Sequence, residues 1–245
     1  MYEAEVPLYG DLVSINEQVI SRLSPEERAA ICKDLEGARS QLERHGAIGL
    51  GTPEELSTVR RLFGLLGLRP AGYYDLSVAG LPMHATAFRP VTPEELGKNP
   101  FRVFTTFLRP ELLTPENRER ALSLLSTRCI FTKRLLELLD HGEQQGGFIS
   151  TETSEFVREA IKTFRWHSIA STCYEDYCVL KTKHPILTDV VSSPSAHINH
   201  LTPRTLDIEA VQKQMKKEGL PSRLASKAPR LVDVPSCCGR RALWP

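Results

Sequence analysis

The 245-residue sequence has almost no net charge: 31 basic side chains against 30 acidic ones leave +1. A balance this close to neutral gives no electrostatic footprint for nucleic acid or for an anionic membrane. Long apolar runs are missing too. Stretches such as Leu62-Phe63-Gly64-Leu65-Leu66-Gly67-Leu68 fall far short of the roughly 20 residues of a spanning helix. The opening Met1-Tyr2-Glu3-Ala4-Glu5-Val6 carries early acids instead of a basic segment leading into an apolar one, which argues against a secretory signal. Cysteines are few and scattered, at Cys32, Cys129, Cys173, Cys178, Cys237 and Cys238. No CxxC pair occurs, so neither a disulfide framework nor a structural zinc site is indicated, and reduced thiols in a cytoplasmic protein are expected. GxGxxG, P-loop, HExxH and GxSxG patterns are all absent. What remains is an ordinary globular composition, 41% hydrophobic and 25% charged, long enough for one large domain or two smaller ones.

Four segments share a helix-start device. Ser24-Pro25-Glu26-Glu27, Thr52-Pro53-Glu54-Glu55, Thr92-Pro93-Glu94-Glu95 and Thr114-Pro115-Glu116-Asn117 each put a hydroxyl at the cap and proline at the first helical position. The first three add glutamate at the third position, the pattern of a capping box. After Thr52, the residues Leu56, Val59, Leu62, Phe63 and Leu66 recur at helical spacing, and Gly67 is a natural stop. Strands are expected at Tyr73–Val78, His84–Arg89 and Phe101–Phe107, and helices over 116–140 and 152–165, with Gly142–Gly147 as a loop.

A weak internal repeat says more than any single motif. His45-Gly46-Ala47-Ile48 opens a strand, followed by a short loop, a helix ending near Gly67, and further strands. His200-Leu201-Thr202 is followed by a turn, a helix beginning near Asp207 with Ile208, Val211 and Met215 on one face, and Gly219 as its stop. Two β-α-β-β-β units can pair their sheets around a shared cavity, with one histidine pointing inward from each. The fold expected is therefore α+β, with a first module at about 43–108, a helical insertion at about 114–166, and the start of a second module at about 195–219. After Gly219 there is no apolar period, so residues 220–245 are expected to form a divergent, disordered tail and the second module to be incomplete.

Seven histidines are present: His45, His84, His141, His167, His184, His197 and His200. Two histidines and one carboxylate with open positions make a non-haem Fe(II) oxygen-activating site. Taken singly, each histidine is more often a hydrogen-bonded core or surface residue, but the repeat raises His45 and His200 above that. His197, three residues before His200, would face the other side of a strand, and His84 is the main competitor. Arg89 and Arg204 are candidate carboxylate anchors, with surface ion pairs as the alternative. Tyr73-Tyr74-Asp75 offers hydrogen-bonding groups that packing explains equally well.

Several segments together resemble one family. Glu5-Val6-Pro7-Leu8-Tyr9-Gly10, Arg44-His45-Gly46-Ala47-Ile48, Gly72-Tyr73-Tyr74-Asp75-Leu76-Ser77, His84-Ala85-Thr86-Ala87-Phe88-Arg89, Phe101-Arg102-Val103-Phe104 and His197-Ile198-Asn199-His200-Leu201-Thr202-Pro203-Arg204 are similar, in this order, to motifs of the 2-oxoadipate dioxygenase/decarboxylases. The resemblance implies a vicinal-oxygen-chelate-like fold, Fe(2+) as cofactor, and conversion of 2-oxoadipate and O2 to 2-hydroxyglutarate and CO2 in lysine breakdown. It also implies that His45 and His200 are metal ligands, and that small-molecule 2-oxo acid and O2, not nucleic acid or membrane, are the partners. Three departures accompany it, one being that residues 221–245 do not look like the family's continuation. The family's carboxylate ligand is a glutamate well beyond the second histidine, and the sequence stops before it. The family's substrate arginine is Gly49 here. The rival expectations are a non-catalytic remnant or binding protein, and a lyase or isomerase of the same superfamily using another metal.

Overall fold

The structure is a computed structural model that describes residues 1–27, 43–183 and 185–220. The expectations for Cys32, His184, Cys237, Cys238 and the tail 221–245 lie outside the described residues. In chain order the elements are α1 (Tyr9–Arg22), β1 (Arg44–Leu50), α2 (Pro53–Leu65), β2 (Arg69–Asp75), β3 (Met83–Arg89), α3 (Pro93–Lys98), β4 (Phe101–Leu108), α4 (Pro115–Ser126), α5 (Lys133–Gln145), α6 (Ser150–Phe164), α7 (Tyr174–Lys183), α8 (Pro185–Ser192), β5 (His200–Pro203) and α9 (Ile208–Lys217). They divide into two compact units. Among the described residues, one holds Met1–Tyr2 and His45–Leu201, the other residues 3–44 and 202–220.

In the first unit, residues 44–108 run strand, helix, strand, strand, short helix (α3), strand, with sheet order β2-β3-β4-β1-β5. The meander β2-β3-β4 is antiparallel, in register at Tyr74↔Ala85 and Ala85↔Thr106. Strand alternation gives the sheet two different faces. Ile48 and Leu50 of β1, Phe88 of β3 and Val103 of β4 turn toward α2, α5 and α6, where they meet Leu62, Phe63, Leu139 and Phe156. Each fully buried side chain of this size contributes about 1.5–3 kcal/mol over its exposed state. On the opposite face, Met83 of β3 and Leu108 of β4 are covered by Leu125 of α4, Leu180 of α7, and Leu187 and Val190 of α8.

Local chemistry explains where the elements begin and end. Thr92 and Glu95 close a complete capping box, as do Ser24 and Glu27. Thr52 caps α2 through the Glu55 amide, but the Glu55 carboxylate does not return to Thr52. It accepts from the Gly51 amide at 2.7 Å and from Arg128. Thr114 makes no side-chain cap bond. The expected single helix over 116–140 is two, α4 and α5, because Thr132 starts a new helix by accepting the Leu135 amide at 3.1 Å. The expected loop at Gly142–Gly147 is mostly the last turn of α5. Gly142 packs against Phe148 inside the helix, and the left-handed Gly146 (φ +73) ends it. Strand β2 starts and stops earlier than Tyr73–Val78, since Asp75 Oδ1 accepts the Ser77 amide and tightens Ser77–Ala79 into a 3-10 turn. Helices also continue past residue 166, through α7 and α8.

In the second unit α1 and α9 pack together through Ile15, Val19 and Val211. The apolar face of α9 is therefore covered at Val211, while Ile208, expected on the same face, is 53% exposed. Arg204 bonds the buried Glu43 carboxylate at 2.9 Å, and its carbonyl accepts from Asn16. No described helix is long and apolar enough to cross a membrane.

Candidate metal centre

Strand β1 alternates between two environments. Gly46, Ile48 and Leu50 lie on the face packed by α2, α5 and α6, so His45, Ala47 and Gly49 lie on the other. The Asn199 amide donates to the Ala47 carbonyl at 3.1 Å, which brings the start of β5, and with it His200, alongside β1. Burial holds the His200 pKa below the ordinary imidazole value, and the neighbouring His45 adds to that shift. A depressed pKa keeps the ring neutral, which is the form that binds a metal. His200 Nε2 is buried and has no hydrogen-bond partner among the described residues. An orphaned buried imidazole nitrogen beside a second imidazole fits a divalent cation, because coordination satisfies the lone pair that burial strands. Among the described residues no group of three His, Cys, Asp or Glu side chains gathers around one point, so the pair has no protein carboxylate beside it there.

The other histidines are placed elsewhere. His84 pairs with Phe107 in register, which puts it on the helix-packed side of the sheet with Asp75. Its Nε2 is also buried without a partner, but its Nδ1 lies 2.6 Å from the Tyr73 hydroxyl, and the face is the wrong one for His45. His197 is held by the Ser193 hydroxyl at 3.1 Å and lies 3.6 Å from Asp189. His141 bonds Glu152 at 2.9 Å, and His167 is exposed.

Of the candidate anchors, Arg204 is occupied by Glu43, a buried carboxylate rather than a surface one. Arg89 shares the parity of Ala85 and Ala87 and so lies on the face of His45. Arg102, not singled out from the sequence as an anchor, does too. It shares the parity of Phe104 and Thr106, and Thr106 bonds the Ile48 carbonyl and lies beside Gly49. Counting alternate residues from Thr106 would have found it. Tyr74 packs on Phe104 at 5.2 Å, while Tyr73 is 61% exposed.

Gly49 has no room for a side chain as the chain stands. A Cβ there would come within 2.7 Å of Val190 Cγ2 on α8. Gly49→Ala is therefore expected to destabilise the first unit by about 1–3 kcal/mol despite the better strand propensity of alanine. Gly49→Ala/Val190→Ala should recover most of that loss in urea unfolding. Destabilisation that persists in the double variant would mean that the contact with Val190 is not its cause.

A family model for the 2-oxoadipate dioxygenase/decarboxylases matches residues 1–236. The chain is 46% identical over 239 residues to a 2-oxoadipate dioxygenase/decarboxylase of Shigella flexneri, covering 96% of this chain and 54% of that protein. The crystal structure of the hydroxyglutarate synthase from Pseudomonas putida, in complex with 2-oxoadipate, superposes with a TM-score of 0.81 at 47% identity, over 89% of this chain and 50% of that one. A glyoxalase-superfamily protein from Ralstonia eutropha JMP134 shares the fold at 18% identity, with a TM-score of 0.60 over 84% of this chain and 64% of that one. The chain thus spans about half the length of the curated relatives it matches. With the model matched over nearly all of its residues, the chain belongs to the 2-oxoadipate dioxygenase/decarboxylase family.

Proposed function

We propose that the chain carries the metal-binding first half of an Fe(II)-dependent dioxygenase/decarboxylase that converts 2-oxoadipate and O2 to 2-hydroxyglutarate and CO2, a cytoplasmic step of lysine breakdown. The observation that supports it most is the His45–His200 pair: neighbouring imidazoles, one with an orphaned buried nitrogen. His45 and His200 would hold the metal, which when bound supplies a Lewis-acidic, redox-active centre for a 2-oxo acid and O2. The chain's other residues shape the surroundings. Ala47, Ala85 and Ala87 put small side chains on that side of the sheet, and Phe104 packs against Tyr74 there. Arg102 and Arg89 put positive charge on the same face for the carboxylates of the substrate. The β1-α2-β2-β3-β4 run of residues 44–108, with the short α3 inserted before β4, serves as one vicinal-oxygen-chelate-like module in this reading.

The test is anaerobic addition of 2-oxoadipate to the full chain with excess Fe(II). A chelated 2-oxo acid gives a visible charge-transfer absorption, which is expected in the unsubstituted chain and absent in His45→Ala. Sustained O2 uptake is not expected, since two neutral imidazoles leave the charge of the divalent ion unbalanced. No absorption above the His45→Ala background would sink this reading and favour a non-catalytic binding protein. Uptake of O2 in step with CO2 release would mean that a carboxylate outside the described residues completes the site.

A further inference from the structure

The segment from Ser193 to Asn199 has no helix or strand of its own, yet Ser195 and Ala196 are buried. It leads directly into His200. It is held by unlike partners: the Ala196 amide donates to Thr163 O at 2.9 Å, and the Ser195 hydroxyl to Arg165 O at 2.6 Å. The strongest hold is a single guanidinium. Arg128, just beyond α4, is 1% exposed at its side chain. Its Nε donates to Ser193 O and its Nη2 to Ser195 O, both at 3.0 Å. Its Nη1 meets both Glu55 carboxylate oxygens at 2.8 and 2.6 Å, and Glu55 in turn accepts the Gly51 amide, which follows β1. One planar cation thus joins the exit of the His45 strand to the entry of the His200 strand.

Stability alone does not explain this choice. Burying a charge pair is costly in desolvation, and apolar side chains of similar volume often hold a fold as well or better. A guanidinium offers instead a rigid fork whose donors fix several acceptors at set separations and directions. We infer that Arg128, oriented by Glu55, is a positioning residue for the His45–His200 pair, fixing the approach of the two imidazoles to one metal ion. The inference rests on the reading of that pair as a metal site.

The test is Ni(II) titration of the full chain by calorimetry. Ni(II) is used because it binds paired imidazoles without catalysis, and binding lost in His45→Ala defines the site. Arg128→Lys keeps a cation opposite Glu55 but cannot span Glu55 and two carbonyls. It should weaken Ni(II) binding about 10- to 100-fold, the range for residues that orient metal ligands. Leu138→Ala, a core truncation in α5 that also lowers the melting temperature, should leave Ni(II) affinity unchanged. Equal weakening by Leu138→Ala would reduce Arg128 to a structural role and overturn the inference, as would unchanged affinity in Arg128→Lys. If Arg128→Lys does not fold, the isosteric Glu55→Gln decides: weaker Ni(II) binding upholds the inference, and unchanged binding overturns it. An unsubstituted chain with no binding beyond the His45→Ala background would sink the metal reading itself, and the inference with it.

Discussion

Glu55→Ala is expected to cost about 3–5 kcal/mol in urea unfolding, the range for removing one partner of a buried ion pair. The loss has two physical sources. The Arg128 guanidinium stays buried among carbonyls with no counter-charge, and the Gly51 amide loses its acceptor. Glu55→Leu/Arg128→Met, which removes both charges and keeps apolar volume, should recover most of the stability. A loss in Glu55→Ala below about 1 kcal/mol, the size of an exposed pair, would show that the guanidinium finds water or another acid in its place.

The second large effect concerns the metal. His200→Ala removes a proposed ligand rather than a residue that orients one, so Ni(II) affinity should fall by more than about 100-fold, past the range of orienting residues. His84→Ala is the matched control. It too deletes a buried imidazole with an unpartnered nitrogen, but from the opposite face of the sheet. Its Ni(II) affinity should equal that of the unsubstituted chain. A loss in His84→Ala rivalling that in His200→Ala would move the site to the side of Tyr73 and Asp75.

Much of this was legible in the sequence, for identifiable reasons. The helix after Thr52 carries a cap, proline at its first position and an apolar stripe, three local signals that agree, and it appears at Pro53–Leu65. Strands β3 and β4 were legible from their alternation. The break between α4 and α5 was not, because a hydroxyl cap in mid-pattern looks like any other threonine until its partner amide is known. Helix α7 escaped because Tyr174-Glu175-Asp176-Tyr177-Cys178 has no apolar stripe to show; among its described side chains Leu180 is the buried one. His45 and His200 were found through the repeat and the family motifs. Arg128 could not be. Its partners lie 73 and 67 residues away in sequence, at Glu55 and Ser195, and nothing local distinguishes a clamp from a surface arginine. The capping-box pattern at Thr52 even pointed Glu55 at the wrong partner.

The alternation along β1 also bears on how such a chain can change over generations. Its even-numbered positions, Gly46, Ile48 and Leu50, serve the core, while its odd-numbered ones, His45, Ala47 and Gly49, lie on the face proposed to hold the metal. Variation at the odd positions can retune what is bound without disturbing what keeps the unit folded, as long as the side chain has somewhere to go. At position 49 it has nowhere to go until Val190 gives way. The evolutionary freedom of that strand position is thus set from a distant helix: a bulky residue on α8 keeps it a glycine, and a smaller one would open it to new side chains before β1 itself had changed.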